Sequence, residues 1–122
     1  MQENKAVVQS KELSDLVAKG MAEKKALDIT VMDLREVGNA IADFFVICSA
    51  NSDTQIDAIS DSVEEEVFKA TQLNPWKREG KTNREWILID YVDVVAHIFK
   101  KDKREFFSLE ELWGDAHITE VA

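Results

Sequence analysis

The chain of 122 residues has one cysteine, one proline and four glycines, and each scarcity excludes something. The lone Cys48 lies in the apolar run FFVIC with no cationic neighbour in sequence, so it reads as a small buried hydrophobe in a reducing compartment, not as a reactive thiol. Glycine-dependent motifs are missing as well: there is no G-x-G-x-x-G, no G-K-[ST] and no G-x-S-x-G, and no C-x-x-C. No apolar run approaches membrane-spanning length. The opening MQENKAVVQS has neither the h-region of a secretion signal nor an Arg-rich amphipathic pattern, which predicts a cytosolic location. No repeat and no low-complexity stretch occurs.

Positive charge is also short, and its absence is local. Residues 36–68 carry eight acids and no base, and 105–122 carry five acids and no base, within a net charge of −9. Binding a phosphate backbone as the main activity requires clustered Lys and Arg to displace counterions, so little direct nucleic-acid binding is expected. A basic protein partner suits an acidic surface better.

The chain is organised around WILIDYVDVVAHIF, residues Trp86 to Phe99, its longest nearly unbroken apolar run. It reads as two strands joined at Asp90, Tyr91, Val92 and Asp93, and strands apolar on both faces belong in the middle of a covered sheet. The two-residue period puts Trp86, Leu88 and Asp90 on one face and Ile87, Ile89 and Tyr91 on the other, while Asp93, Val95, His97 and Phe99 share a face of the second strand.

Ahead of this hairpin, Ser10 is positioned to cap a helix whose apolar residues Leu13, Leu16, Val17 and Met21 recur at helical spacing, ending near Lys25. LDITVMDL alternates Ile29 and Val31 against Met32 and Leu34, the period of a strand. Arg35 to Asp43 carries turn chemistry, and Phe44 to Cys48 forms a continuous apolar strand. Ser52 with Gln55 three residues on makes a capping box. The helix it opens buries Ile56, Ile59, Val63, Val67 and Ala70 and turns Asp53, Asp57, Asp61, Glu64 and Glu65 outward as a negative face. A short edge strand, blunted by its charges, is expected at Lys77 to Glu79. REFFSLEELW reads as one helix with Phe106, Leu109 and Leu112 or Trp113 apolar, stopped by Gly114.

The order α-β-β-α-(β)-β-β-α predicts one α/β (α+β) domain over residues 10–116, a mixed sheet packed by helices. Flexible segments are expected at 1–9 and 117–122. Adjacent strand pairs disfavour a doubly wound nucleotide fold.

Few residues point to chemistry. Asp90 and Asp93 could hold a divalent cation, as in metal-dependent nucleotidyl transfer, but the Gly-Ser loop that would hold a triphosphate is missing and the acids are three apart, not two. His97 and Asp93 could be two metal ligands, yet two without a third are a poor site, and a hydrogen-bonded structural histidine fits better. No cofactor is expected.

Three blocks in order, FFVICSANSDTQIDAISDSVEEEV, EGKTNREWILIDYVDVVAHIF and REFFSLEELWGDA, resemble the ribosomal silencing factor family, the RsfS or Iojap-related proteins, from about Leu13 to Ala116. The resemblance implies a small domain related in its sheet to nucleotidyltransferases but without their catalytic residues, and so no enzyme. It implies docking on the large ribosomal subunit through its protein fourteen, where it blocks joining of the small subunit and represses translation in starvation or stationary phase. The family's partner-facing surface corresponds to Trp86, Asp90, Tyr91 and Asp93, with His97 further on. Trp86 and Tyr91 would bury apolar area while Asp90 and Asp93 pair with Lys or Arg, although Trp86 could equally fill the core beside Leu88. Many members have Gly at the position of Val92 and at that of Ala50; if the glycine serves a positive φ, Val92 implies a different local geometry. The hairpin aromatics could also mediate a homodimer.

Overall fold

The structure is a computed structural model that describes residues 8–121, and it omits the side chain of Phe106. The expectation for the first seven residues lies outside the described chain. The order is α1 (Ser10–Glu23), β1 (Leu27–Asp33), β2 (Phe44–Ala50), α2 (Asp53–Thr71), β3 (Lys77–Glu79), β4 (Trp86–Asp90), β5 (Val94–Lys100), α3 (Lys101–Phe107), α4 (Leu109–Leu112) and β6 (His117–Glu120).

The strands form one sheet in the order β3-β4-β5-β2-β1-β6. β2 and β5 run parallel from Phe44↔Val94 to Ala50↔Lys100, and the other pairings are antiparallel. Every residue of β2 is buried, and so is every residue of β5 before Lys100. Strands of that kind need cover on both faces. One face carries the cluster of Val46, Cys48, Ile87, Ile89 and Ile98 under Val17 and Met21 of α1 and Ile56, Ile59, Val63 and Val67 of α2. The other carries Met32, Phe45, Ile47, Val95 and Phe99, packed with Leu109, Phe107 and Trp113. Burial pushes the Cys48 thiol far up, which makes it inert.

The capping box forms with an added reach. Ser52 Oγ accepts from Gln55 N–H, and Gln55 Oε1 accepts from Asn51 N–H. The Gln55 amide then donates to the carbonyls of Lys24 and Lys25, so the start of α2 is tied to the end of α1. Arg104 is a second tie: its guanidinium donates to Asp28 O, Ser49 Oγ, Thr30 Oγ1 and Glu110 Oε2, joining α3 and α4 to β1 and β2.

Several expectations are corrected. The cap of α1 is Gln9, whose carbonyl accepts the first helical bond from Leu13, and Ser10 is already helical. Ala70 is exposed: the buried stripe of α2 ends at Val67, and Leu73 beyond the helix packs against the cluster. REFFSLEELW is broken at Ser108, whose φ of 49° ends α3 and starts α4. The last residues do fold: HITE pairs with β1 from Thr30↔Glu120 to Asp33↔His117, which satisfies the outer backbone groups of β1.

The two helices of the first face touch through a glycine. A Cβ at Gly20 would lie 2.7 Å from Val63 Cα, and Ser62 Oγ donates to Gly20 O at 2.7 Å. We predict that Gly20→Ala destabilises the fold by ~1–3 kcal/mol, as overpacking does, despite the better helix propensity of alanine. Urea unfolding checks this; an unchanged midpoint would show that the two helices separate freely.

Candidate functional site

Strand direction determines which segments meet. β2, β3 and β5 begin where β1 and β4 end, so this rim of the sheet gathers the segment before β3, the β4–β5 turn and the segment before β2. Backbone hydrogen bonds hold them together: Trp76 N–H donates to Asp90 O at 2.7 Å, and Asp43 N–H and Phe44 N–H donate to Asp93 O at 2.8 and 3.1 Å.

The turn itself is tight. Asp93 N–H donates to Tyr91 O at 3.0 Å across Val92, whose φ is 78°. That i→i+2 bond with positive φ is the rarer, strained form of γ-turn. Asp90 Oδ1 accepts from Val92 N–H at 2.7 Å and locks it. The expectation of a different geometry at Val92 is therefore reversed: the valine adopts the positive φ that a glycine would take without strain.

The five residues expected at the site divide into three groups. Asp90 and Asp93 meet at the rim, Asp93 exposed and Asp90 half-buried. Tyr91 turns to the α1–α2 face, where it is 8% exposed and its buried hydroxyl has no hydrogen-bond partner among the described residues. Desolvation, with Glu64 adding to it, raises the phenol far above its ordinary range against the opposing pull of Arg78.

Trp86 and His97 lie elsewhere, on the face covered by α3. Trp86 starts β4 while Asp90 ends it, so the two are ~14 Å apart along the strand. Trp86 Nε1 donates to His97 Nδ1 at 3.0 Å, and its ring packs against Phe99 and Phe107 with centroids 5.0 and 4.7 Å away. With Nδ1 accepting, the proton of the neutral imidazole belongs on Nε2, which is buried with no hydrogen-bond partner among the described residues, beside the Phe45 ring. His97 is 3% exposed, and burial lowers its pKa to about 3. It is a structural histidine, bonded to Trp86 and not to Asp93. Among the described residues no three or more His, Cys, Asp or Glu side chains are placed to share a metal ion.

Two rim residues escaped sequence reasoning. Trp76 is 70% exposed with the Lys77 amine 5.2 Å from its ring centroid, and Ile41 is 78% exposed. Their signal was position: both are large apolar residues in segments without helical or strand period. Val92 at the turn tip is 56% exposed.

Electrostatics separates the rim from the expected acidic helix. Four of the five outward acids of α2 are paired within the chain: Asp53 with Lys100 at 2.5 Å, Asp57 with Arg84 at 3.0 Å, Asp61 with Lys81 at 3.7 Å and Glu64 with Arg78 at 2.6 Å. Asp43, Asp90 and Asp93 make no ion pair among the described residues. The rim keeps unpaired negative charge in Asp90 and Asp93, while most of the helix face is neutralised.

The molecule is a single small α+β domain with an acidic, partly apolar rim. The family model described as ribosomal silencing factor during starvation matches residues 7–122, and the chain belongs to that family. The Bacillus subtilis protein named ribosomal silencing factor RsfS is 35% identical over 111 residues, covering 91% of this chain and 92% of that one. The chloroplastic protein Iojap of Zea mays is 38% identical over 100 residues, covering 82% of this chain and 42% of its own length. A crystal structure of a Chromobacterium violaceum protein superposes with a TM-score of 0.81 at 26% identity, covering 88% of each chain. No helix among the described residues is long and apolar enough to cross a membrane.

His97 also yields a pH prediction. Its folded pKa near 3 lies below the unfolded value near 6.5, so in between only the unfolded chain takes up the proton. The stability held above pH ~6.5 is therefore lost on acidification, at up to ~1.4 kcal/mol per pH unit. We expect His97→Gln, which keeps an acceptor available to Trp86, to flatten the decline between pH 6 and 5, as followed by urea unfolding at each pH. An unaltered slope would assign the loss to other groups.

Proposed function

We propose that this protein represses translation without catalysing a reaction. In this reading its rim docks on protein fourteen of the large ribosomal subunit, in the cytoplasm, and covers the face that meets the small subunit. The observation that carries the reading is the placement of free charge. Four acids of α2, Asp53, Asp57, Asp61 and Glu64, are paired with Lys100, Arg84, Lys81 and Arg78, whereas Asp90 and Asp93 at the rim make no ion pair among the described residues. A basic protein surface is the complementary partner, and complementary charge speeds encounter and fixes orientation. Family membership supplies the ribosome as the setting.

Steric exclusion needs only occupancy. The large subunit can hold this domain or the small subunit at the shared face, so repression follows from affinity and concentration. Metal-dependent nucleotidyl transfer has less support, because the Asp90 carboxylate already caps Val92 N–H and Asp93 projects alone. Self-association through the same rim would compete with docking, and sedimentation at several concentrations separates the two.

The test mixes the protein with both ribosomal subunits. At saturating protein, assembled ribosomes should fall and free large subunits carrying the protein should rise; normal joining would overturn the proposal. Asp93→Arg should leave stability within ~0.5 kcal/mol, as exposed substitutions generally do, while weakening co-sedimentation with large subunits most strongly at low salt.

A further inference from the structure

We infer that the docking contact is made by an apolar row, Ile41, Val92 and Trp76, instead of by Trp86 and Tyr91, and that Val92 occupies its strained turn for that contact. The inference rests on the docking reading above and names the residues that give it affinity.

The argument starts from what Val92 does not do. A β-branched side chain at a φ of 78° is a backbone outlier, and such strain persists only where the surroundings enforce it. Here the enforcement is explicit: the Asp90 carboxylate holds Val92 N–H, and Asp93 is bonded to Tyr91 on one side and to Asp43 and Phe44 on the other. Yet the valine side chain joins neither hydrophobic cluster and stands in water. The folded state gains no packing from it, and a glycine would fit the turn better. What the valine adds is a fixed apolar tip.

That tip has company. Across the rim the order of strands places Trp76 before β3, Val92 between β4 and β5, and Ile41 near the start of β2. The strands that Trp76 and Ile41 precede, β3 and β2, lie three strand spacings apart, ~15 Å, with the Val92 turn between them. The Trp76 backbone is held by its bond to Asp90, which fixes where the indole leaves the rim, and the Lys77 amine lies 5.2 Å from the ring centroid. Exposed Trp is the residue type most often found to dominate binding. Trp86 and Tyr91 are already spent: one bonds His97 among aromatic rings, and the other is buried under the helices.

The rim charges select the occupant. Asp90 and Asp93 flank Val92 in the turn and make no ion pair among the described residues, so the partner is a protein surface with an apolar depression beside Lys or Arg. A phosphate backbone would be repelled.

The test compares the wild type, Val92→Gly and Trp76→Ala for thermal unfolding and for co-sedimentation with purified large subunits over a concentration series. Val92→Gly should unfold about 2–5 °C higher, because strain is relieved, and yet bind at least about tenfold more weakly. Trp76→Ala should leave the unfolding midpoint nearly unchanged and weaken binding by at least about tenfold. Binding by both variants as tight as that of the wild type would overturn the inference while leaving the docking reading standing. A lower unfolding midpoint for Val92→Gly would overturn the role given to strain. Failure of the wild type itself to co-sediment would overturn the docking reading and this inference with it.

Discussion

The parallel pairing of β2 with β5 is the constraint on which the rest of the structure depends. Of the fourteen paired residues, seven on each strand, all but Lys100 are buried and most are apolar, so the ladder cannot face water on either side. Two helices close one face, and the segment from α3 to Trp113 closes the other. A parallel pair also cannot be joined by a short turn. The chain must cross over through α2, and on its way back it lays down β3 and β4. Because parallel strands start at the same end, the segment entering β2 and the turn entering β5 arrive side by side, and Asp93 O accepts from both Asp43 and Phe44. The rim is thus a product of core topology.

Charge follows the same logic. The crossover carries β3 and the loop after it over the acidic side of α2, so that Arg78, Lys81 and Arg84 land beside Glu64, Asp61 and Asp57. These pairs are exposed, and their individual contribution to stability is small. Their effect is on the surface potential: they remove most of the negative face that the helix alone would show, so that it no longer outweighs the unpaired acids of the rim.

Much of the fold was legible in the sequence because it was written in periods. The alternation of Ile29 and Val31 against Met32 and Leu34, the stripe of Ile56, Ile59, Val63 and Val67, and the two faces of the hairpin all appear where the spacing put them. What could not be read were events between segments. HITE carries no strand signal of its own, and becomes a strand because β1 offers an open edge. Ser108 breaks a helical pattern through a backbone angle that no spacing records. The site suffered most. Trp86 and Tyr91 are the residue types that anchor interfaces, but cross-strand partners decide their fate, and Trp86 found His97. Ile41 and Trp76 lie in aperiodic segments, where only the direction of the strands shows that they come together.

The outer strand has a consequence for how the molecule comes into being. Thr30 pairs with Glu120, ninety positions along the chain, and Arg104 reaches back to Asp28 and Thr30 from nearly as far. Contacts so distant in sequence are slow to form, because the entropy of closing the loop is lost before any contact compensates for it. Until they form, one side of β1 offers bare amides and carbonyls to any extended chain nearby. A newly made molecule therefore has a window in which its own sheet is open to intruders, and the short segment HITE is what shuts it.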